Sequence, residues 1–254
     1  MSGIKVRPSV AVGTAAALGL VAGGLAYASM WPTSQFFGRT LIAGSDPDEL
    51  ALTFDDGPND AATPMLLEVL ARHQVRATFF IIGSFARQRP EIVRRVAAEG
   101  HLIGNHTMTH PRLALESARK VRQELVDCSA VLEDLIGAPV RYFRPPFGSR
   151  RPMVLQLARE LSLIPVTWNV TCHDWEPIGR EGILQRMSAG VERNRAPGVE
   201  RNRARGCGSN ILLHDGSHRA MGTYRMDTVY AVEQVLQAQP SRRWVTLDAW
   251  SEPQ

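Results

Sequence analysis

Two adjacent carboxylates, Asp55 and Asp56, end the apolar run Leu50-Ala51-Leu52-Thr53-Phe54, and Gly57-Pro58 turns the backbone straight after them. Two ionised carboxylates side by side repel, so a fold that brings them to a cleft must supply positive charge from a metal ion, an arginine or both. Further on, His106 and His110 stand four residues apart in Gly104-Asn105-His106-Thr107-Met108-Thr109-His110-Pro111. That spacing predicts one face of a helical turn, with both imidazoles close enough to hold a single cation. One carboxylate and two imidazoles leave coordination positions open for water and substrate, as a catalytic metal site requires. Zn²⁺ is the first candidate, with Co²⁺ and Mn²⁺ as alternatives. Non-haem iron oxygenases use the same donor set, but nothing in the chain provides for a cosubstrate.

Arg144-Pro145-Pro146-Phe147-Gly148 supplies a permanently charged partner for the carboxylate pair. Its two prolines make a stiff turn that could hold the Phe147 N–H towards a developing oxyanion. Trp168-Asn169-Val170-Thr171-Cys172-His173-Asp174-Trp175 and Leu212-Leu213-His214-Asp215-Gly216 each end an apolar strand with His or Asp. A carboxylate orienting an imidazole, Asp174 on His214, would raise the histidine's pKa and suit it to act as a general acid. A plain turn at Pro145-Pro146 and a simple strand cap at His214-Asp215 are the blander readings. The recurrence of such residues at successive strand ends favours chemistry.

The elements that must position these residues alternate. Strands are expected over Leu50–Phe54, Ala77–Ile82, Leu102–Gly104, Arg141–Phe143, Pro165–Val170, Asn210–Leu213 and Trp244–Leu247. Helices are expected over Thr63–Leu70 (with Thr63 as its cap), Pro90–Ala98, Leu115–Ile136, Met153–Leu161, Ile183–Val191 and Thr228–Ala238. Strand–helix alternation implies parallel βαβ units, and about seven of them without a glycine-rich dinucleotide fingerprint favour an α/β barrel. In such barrels chemistry collects at the strand ends, where the motifs stand.

The chain has 254 residues, 44% hydrophobic and 21% charged, which fits one folded domain rather than a disordered chain. Its net charge of +4 comes from scattered arginines. No basic groove interleaved with aromatics accompanies them, so nucleic acid is not an expected partner and no protein partner is evident. Lys5 and Arg7 precede an uncharged run from Val10 to Trp31. This predicts a signal anchor over 1–31 with the body outside the cytoplasm, or a signal peptide cleaved after Ala28 and a secreted body. Residues 32–49 read as a linker and 50–254 as the catalytic body. Cys128, Cys172 and Cys207 form no metal-spaced pattern; a Cys172–Cys207 bridge and buried free thiols are the competing readings. A direct repeat, residues 190–197 and 198–205, reads as a tandem duplication that lengthened a solvated basic loop.

The ordered set Thr53-Phe54-Asp55-Asp56-Gly57-Pro58, His106-Thr107-Met108-Thr109-His110, Arg144-Pro145-Pro146-Phe147-Gly148, Asp174-Trp175 and Leu212-Leu213-His214 closely resembles the NodB-homology polysaccharide deacetylases, carbohydrate esterase family 4. The resemblance is colinear from about Leu50 to Trp250. It implies a deformed (β/α) barrel and metal-dependent removal of N-acetyl, sometimes O-acetyl, groups from glycans. By the same resemblance Asp55 is the expected base, and Asp56, His106 and His110 the metal ligands. Arg144 pairs with Asp55, Phe147 N–H helps form the oxyanion hole, His214 is the acid tuned by Asp174, and Trp175 and Leu212 shape the acetyl pocket. Phe147 stands where the family often has Tyr, and Asn169 and Thr171 where many members have acidic residues. The expected substrate is an N-acetylglucosamine-containing glycan such as peptidoglycan or a chitin-like oligosaccharide. The rivals are a hydrolase of acetyl esters or small cyclic amides on the same scaffold, and a non-catalytic glycan-binding protein.

Overall fold

The apolar run before the carboxylates forms β1 (Glu49–Gly57), nine residues buried along their whole length. A strand covered on both faces needs such a near-continuous apolar sequence. The computed structural model describes residues 23–196 and 206–250. β1 pairs in parallel with β7 (Ser209–His214) on one side, and with β2 (Thr78–Ile81) and β8 (Arg243–Trp244) on the other. From β2 the sheet continues through β3 (Leu102–Asn105) and β4 (Tyr142–Phe143) to β5 (Ile164–Pro165). On the far side β7 pairs with β6 (Val170–Thr171). The eight parallel strands curl into a partial barrel with helices outside it.

Strand alternation sorts the residues of β1. Leu50, Leu52 and Phe54 face outward into the core shared with the helices, among them α2 (Ala62–Arg72), α5 (Ala118–Ile136), α7 (Gly179–Arg195) and α8 (Met226–Ala238). Ala51 belongs instead to an inner cluster with Phe80, Tyr142, Val166 and Leu247. Thr53 and Asp55 share its face, which aims Asp55 into the barrel. The β1–β7 register sets Asp55 beside His214, and because every strand is parallel, all the strand-end motifs open at the same end.

Several expected elements differ. Helix α2 starts at Ala62, and its first N–H groups are met by Asn59 Oδ1, 2.9 Å from both Ala61 N and Ala62 N, rather than by Thr63. Helix α3 (Gly83–Gln88) was not expected; it is a short connector that the apolar period does not reveal. It leads to α4 (Pro90–Ala98), which has Pro at its first turn as read from the sequence. Helix α5 begins at Ala118, where Ser117 Oγ accepts from Lys120 N at 3.3 Å, and Leu113–Leu115 is a separate 3-10 turn. It ends at Gly137, whose φ of 67° suits glycine.

The expected strand over Pro165–Val170 is two short strands with a crossing between them. Ile164–Pro165 pairs with β4, whereas Val170–Thr171 pairs with β7 at the opposite edge. The chain therefore spans the gap in the barrel itself, and Leu41 bridges to Val166 there. Helix α6 (Pro152–Glu160) precedes this crossing.

The first copy of the repeat is not a loop: Gly190–Arg195 ends helix α7, where a Cβ on Gly190 would meet Val170 Cγ1 at 2.5 Å. The second copy lies outside the described residues. Cys128, Cys172 and Cys207 are free and buried, so no Cys172–Cys207 bridge is formed. The start of the expected anchor, residues 1–22, lies outside the described residues; residues 23–30 are helical (α1). Among the described residues no helix is long and apolar enough to cross a membrane.

Candidate active site

Asp55 and Asp56 diverge because the backbone turns between them. Asp56 has a φ of 69°, a conformation in which aspartate is less penalised than bulkier residues. Asp55 turns to Arg144, whose Nη1 donates to Asp55 Oδ1 at 2.8 Å and to Thr53 Oγ1 at 2.8 Å. Arg144 is fully buried, with its Nη2 3.2 Å from Asn210 Oδ1 and its guanidinium 4.2 Å from the centre of the Phe80 ring. A buried carboxylate and a buried guanidinium thus satisfy one another; neither would be tolerated alone.

Asp56 turns the other way, to the histidines. Its Oδ1 lies 3.4 Å from His106 Nε2 and 3.0 Å from His110 Nε2, separations suited to atoms sharing one small cation at ~2.0–2.2 Å. His106 Nδ1 lies 2.8 Å from the Arg144 carbonyl, which can only accept. The ring proton therefore sits on Nδ1, and Nε2 presents a lone pair towards Asp56. Asp56 Oδ1 is buried without a hydrogen-bond partner, as a carboxylate oxygen awaiting a cation would be. Burial alone would raise the Asp56 pKa, but the imidazoles of His106, His110 and His218 hold it well below the usual carboxylate range. Burial lowers the His110 pKa, which favours the neutral form that a cation needs. Asp56, His106 and His110 form a donor set that could hold a metal ion.

The two histidines are not on a helix. Residues 106–110 form a loop after β3, with φ of 69° at Thr107 and 61° at His110. It is anchored from several sides, and at the start of α3 Gly83 N and Ser84 N donate to the Thr107 and Met108 carbonyls, both at 3.0 Å. Asn105 Oδ1 accepts from Thr107 N at 2.8 Å, and Thr107 Oγ1 accepts from His110 N at 3.0 Å. From α5, Glu124 accepts from Thr109 N and Thr109 Oγ1, both at 2.7 Å.

Across the cleft, Asp174 Oδ1 lies 2.8 Å from His214 Nδ1, and its Oδ2 accepts from His214 N at 2.7 Å and Thr228 Oγ1 at 2.9 Å. Burial works against charge on His214, but Asp174 outweighs it and raises the imidazole to about 9. Trp175 meets the His214 ring edge-on at 5.2 Å. Asp215, next in sequence, faces away from the cleft floor and bonds Thr63 Oγ1 at 2.5 Å; burial pushes it up to about 7. Gly216 is needed for a close approach, since a Cβ there would meet Asp56 O at 2.1 Å.

All ten sequence-predicted residues gather at this end of the barrel. Asp55, Asp56, His106, His110, Phe147, Trp175, Leu212 and His214 line one cleft of about 650 Å³, while Arg144 and Asp174 stand behind it. Phe147 has a φ of 59° in the turn after Pro145-Pro146, and its ring packs 4.6 Å from His110. Sequence reading missed His218, which stacks on His110 at 4.5 Å and approaches Asp56 Oδ2 with Nδ1 at 3.6 Å. Its loop is polar and aperiodic, so no sequence signal brings it to the site. Trp168, Arg112, Arg219 and Arg225 also line the cleft.

A family described as polysaccharide deacetylase matches residues 43–166 of this chain. A chitooligosaccharide deacetylase of Sinorhizobium fredii is 35% identical over 209 residues, covering 80% of this chain and 91% of the relative. A crystal structure of a peptidoglycan N-acetylglucosamine deacetylase, in complex with 4-naphthalen-1-yl-N-oxidanyl-benzamide, aligns with a TM-score of 0.69. That alignment has 31% identity and covers 83% of this chain and 91% of the other. A family 4 pseudoenzyme from Bacillus anthracis, 22% identical over 84% of this chain and 68% of its own with a TM-score of 0.66, shares the fold. The chain belongs to the polysaccharide deacetylase family.

Proposed function

We propose that this protein is a metal-dependent hydrolase that removes N-acetyl groups from N-acetylglucosamine-containing glycans of the cell envelope. The observation that carries this reading is the meeting, in one cleft, of the Asp56–His106–His110 donor set with a carboxylate and an imidazole outside that set, Asp55 and His214. A divalent cation held by that set, Zn²⁺ before Co²⁺ or Mn²⁺, would polarise the acetyl carbonyl and lower the pKa of a water.

Asp55 takes the attacking water's proton on Oδ2, since its Oδ1 is held by Arg144. The Phe147 N–H donates to the developing oxyanion. His214, whose Nδ1 is tied to Asp174, hands a proton from Nε2 to the leaving sugar amine. Trp175 and Leu212 wall the acetyl group. The relatives named for chitooligosaccharides and for peptidoglycan support a glycan substrate. The basic flank and the apolar run to Trp31 support export, with the body anchored outside the cytoplasm or released after Ala28. N-terminal sequencing of the mature protein separates those two fates.

Acetate release from peptidoglycan, chito-oligosaccharides and acetylxylan, with and without chelator, tests the function. Release from the N-acetylated glycans is expected, abolished by chelator and restored by Zn²⁺. Asp55→Asn should lower turnover ~10²–10⁴-fold with metal still bound, whereas His106→Ala should lose metal and activity together. Near-wild-type release by Asp55→Asn would falsify the assignment of the base. Activity confined to acetyl esters or small soluble amides, or binding without release, would favour the rival readings.

A further inference from the structure

Besides the groups given chemical roles above, the cleft is lined by three arginines, Arg112, Arg219 and Arg225. The acids lining the same cleft are Asp55 and Asp56, and both are already engaged, by Arg144 and by the imidazoles. Among the described residues none of the three arginines pairs with a carboxylate. Two of them are nevertheless held in place. The Arg112 guanidinium lies 4.1 Å from the centre of the Phe147 ring, two residues beyond His110. Arg225 donates through Nε to the Gly216 carbonyl at 2.8 Å and through Nη1 to the Tyr224 carbonyl at 3.5 Å. Positioned guanidinium groups without a protein counter-ion are what a planar oxyanion requires, because each can donate two parallel hydrogen bonds to it.

We propose that the mouth of the cleft is an anion subsite, in which Arg112, Arg219 and Arg225 bind a carboxylate on the sugar beside the one being deacetylated. This rests on the deacetylase reading for the identity of the neighbouring sugar, and it selects among the substrates that reading allows. A neutral chain of N-acetylglucosamine offers hydroxyl and acetamido groups, which leave three charges unanswered. A strand in which alternate sugars carry a free lactyl carboxylate answers them, as in peptidoglycan whose stem peptides have been removed; in the intact polymer that carboxyl is an amide. The arginines therefore act on substrate choice and docking, while Asp55 and His214 act on the amide.

Binding calorimetry on the full-length, Zn²⁺-loaded protein in neutral detergent tests this with three ligands of equal length. These are an N-acetylglucosamine oligomer, a peptide-free peptidoglycan strand bearing lactyl carboxylates, and the same strand with those carboxylates converted to amides. The carboxylate strand is expected to bind about tenfold tighter than either neutral ligand, the sum of two or three exposed charge pairs. Raising the salt concentration should narrow the gap. The exposed substitutions Arg112→Gln and Arg219→Gln together should reduce it to about twofold. Equal affinity for the carboxylate and amide strands, or a gap that survives both substitutions, overturns the subsite. Acetate release measured on the same mixtures keeps the two ideas separate. Charge preference without release from any ligand supports the subsite and counts against the deacetylase reading; release without charge preference does the reverse.

Discussion

Asp55 and Asp56 differ by one position and by everything around them. A φ of 69° at Asp56 turns its carboxylate to His106 and His110 and leaves Asp55 facing Arg144. The same division of labour sets the pH behaviour of the opposite wall. His214 is raised to about 9, since Asp174 outweighs the burial that opposes its charge. Its folded pKa lies above the unfolded value of ~6.5, so the ion pair's stabilisation is complete below about 6.5 and is lost as pH rises through about 9. An acid in that state stays protonated at neutral pH, and the alkaline limb of turnover should follow its deprotonation. In Asp174→Asn the direct ion pair is gone, and burial, which favours neutral imidazole, is opposed only by the charges of Asp56 and Asp55. The limb should then move to lower pH by more than one unit, with neutral-pH turnover down about 10²-fold. A pH–rate profile checks this, and an unmoved limb would mean that Asp174 only braces the strand end.

At the scale of elements, the carboxylate-bearing strand was legible because its burial on both faces leaves the apolar run Leu50–Phe54. The long helix α5 was legible in its apolar period, and its C-terminus in Gly137. The loop of His106 and His110 was not legible: its i, i+4 spacing mimics a helix, while its path depends on contacts from a distant element. Glu124 is the clearest of these, a buried acid on the apolar face of α5 beside Val121, Leu125 and Cys128. A charge on such a face has few reasons to be there except polar partners, here Thr109 N and Oγ1 and, from its own helix, Lys120 Nζ at 2.7 Å. The two-residue strands flanking the barrel gap were equally hidden, because pairing with β4 and then β7 defines them rather than any period of their own. Glu124→Ala should free the histidine loop without touching a ligand atom. Metal affinity is then expected to fall ~10–100-fold, as when supporting partners of metal ligands are removed. Competition with a chelator of known affinity measures it, and an unchanged affinity would show that the backbone bonds from Gly83 and Ser84 hold the loop without Glu124.

For the whole molecule, the catalytic body extends further towards the N-terminus than its motifs suggest. Among the described residues Arg150, 1% exposed, has no carboxylate partner; it donates to the carbonyls of Gly148 at 2.9 Å, Trp31 at 2.7 Å and Ser34 at 2.7 Å. Ser29 completes the clamp, donating from Oγ to the Arg150 carbonyl at 2.6 Å and accepting from Arg150 N at 3.1 Å. Burial pushes the Arg150 pKa down to about 10, still high enough to keep it charged at neutral pH. The clamp seats Ala28 in the protein and sets Met30 in the cleft wall, so the end of the N-terminal apolar run is bound to the active-site rim. Arg150→Ala takes the guanidinium donors from the Gly148, Trp31 and Ser34 carbonyls and empties a buried site, and should cost about 3 kcal/mol, a fall in Tm of roughly 6–12 °C for a chain of this size. Deleting residues 1–34 removes the Trp31 and Ser34 bonds from the other side, together with both Ser29 bonds, and should cost at least as much. Because both changes break one network, the deletion and Arg150→Ala together should be little worse than the deletion alone. Thermal melts of the four proteins in the same detergent decide it. Additive losses would mean that Arg150 stabilises the barrel independently of the N-terminal segment.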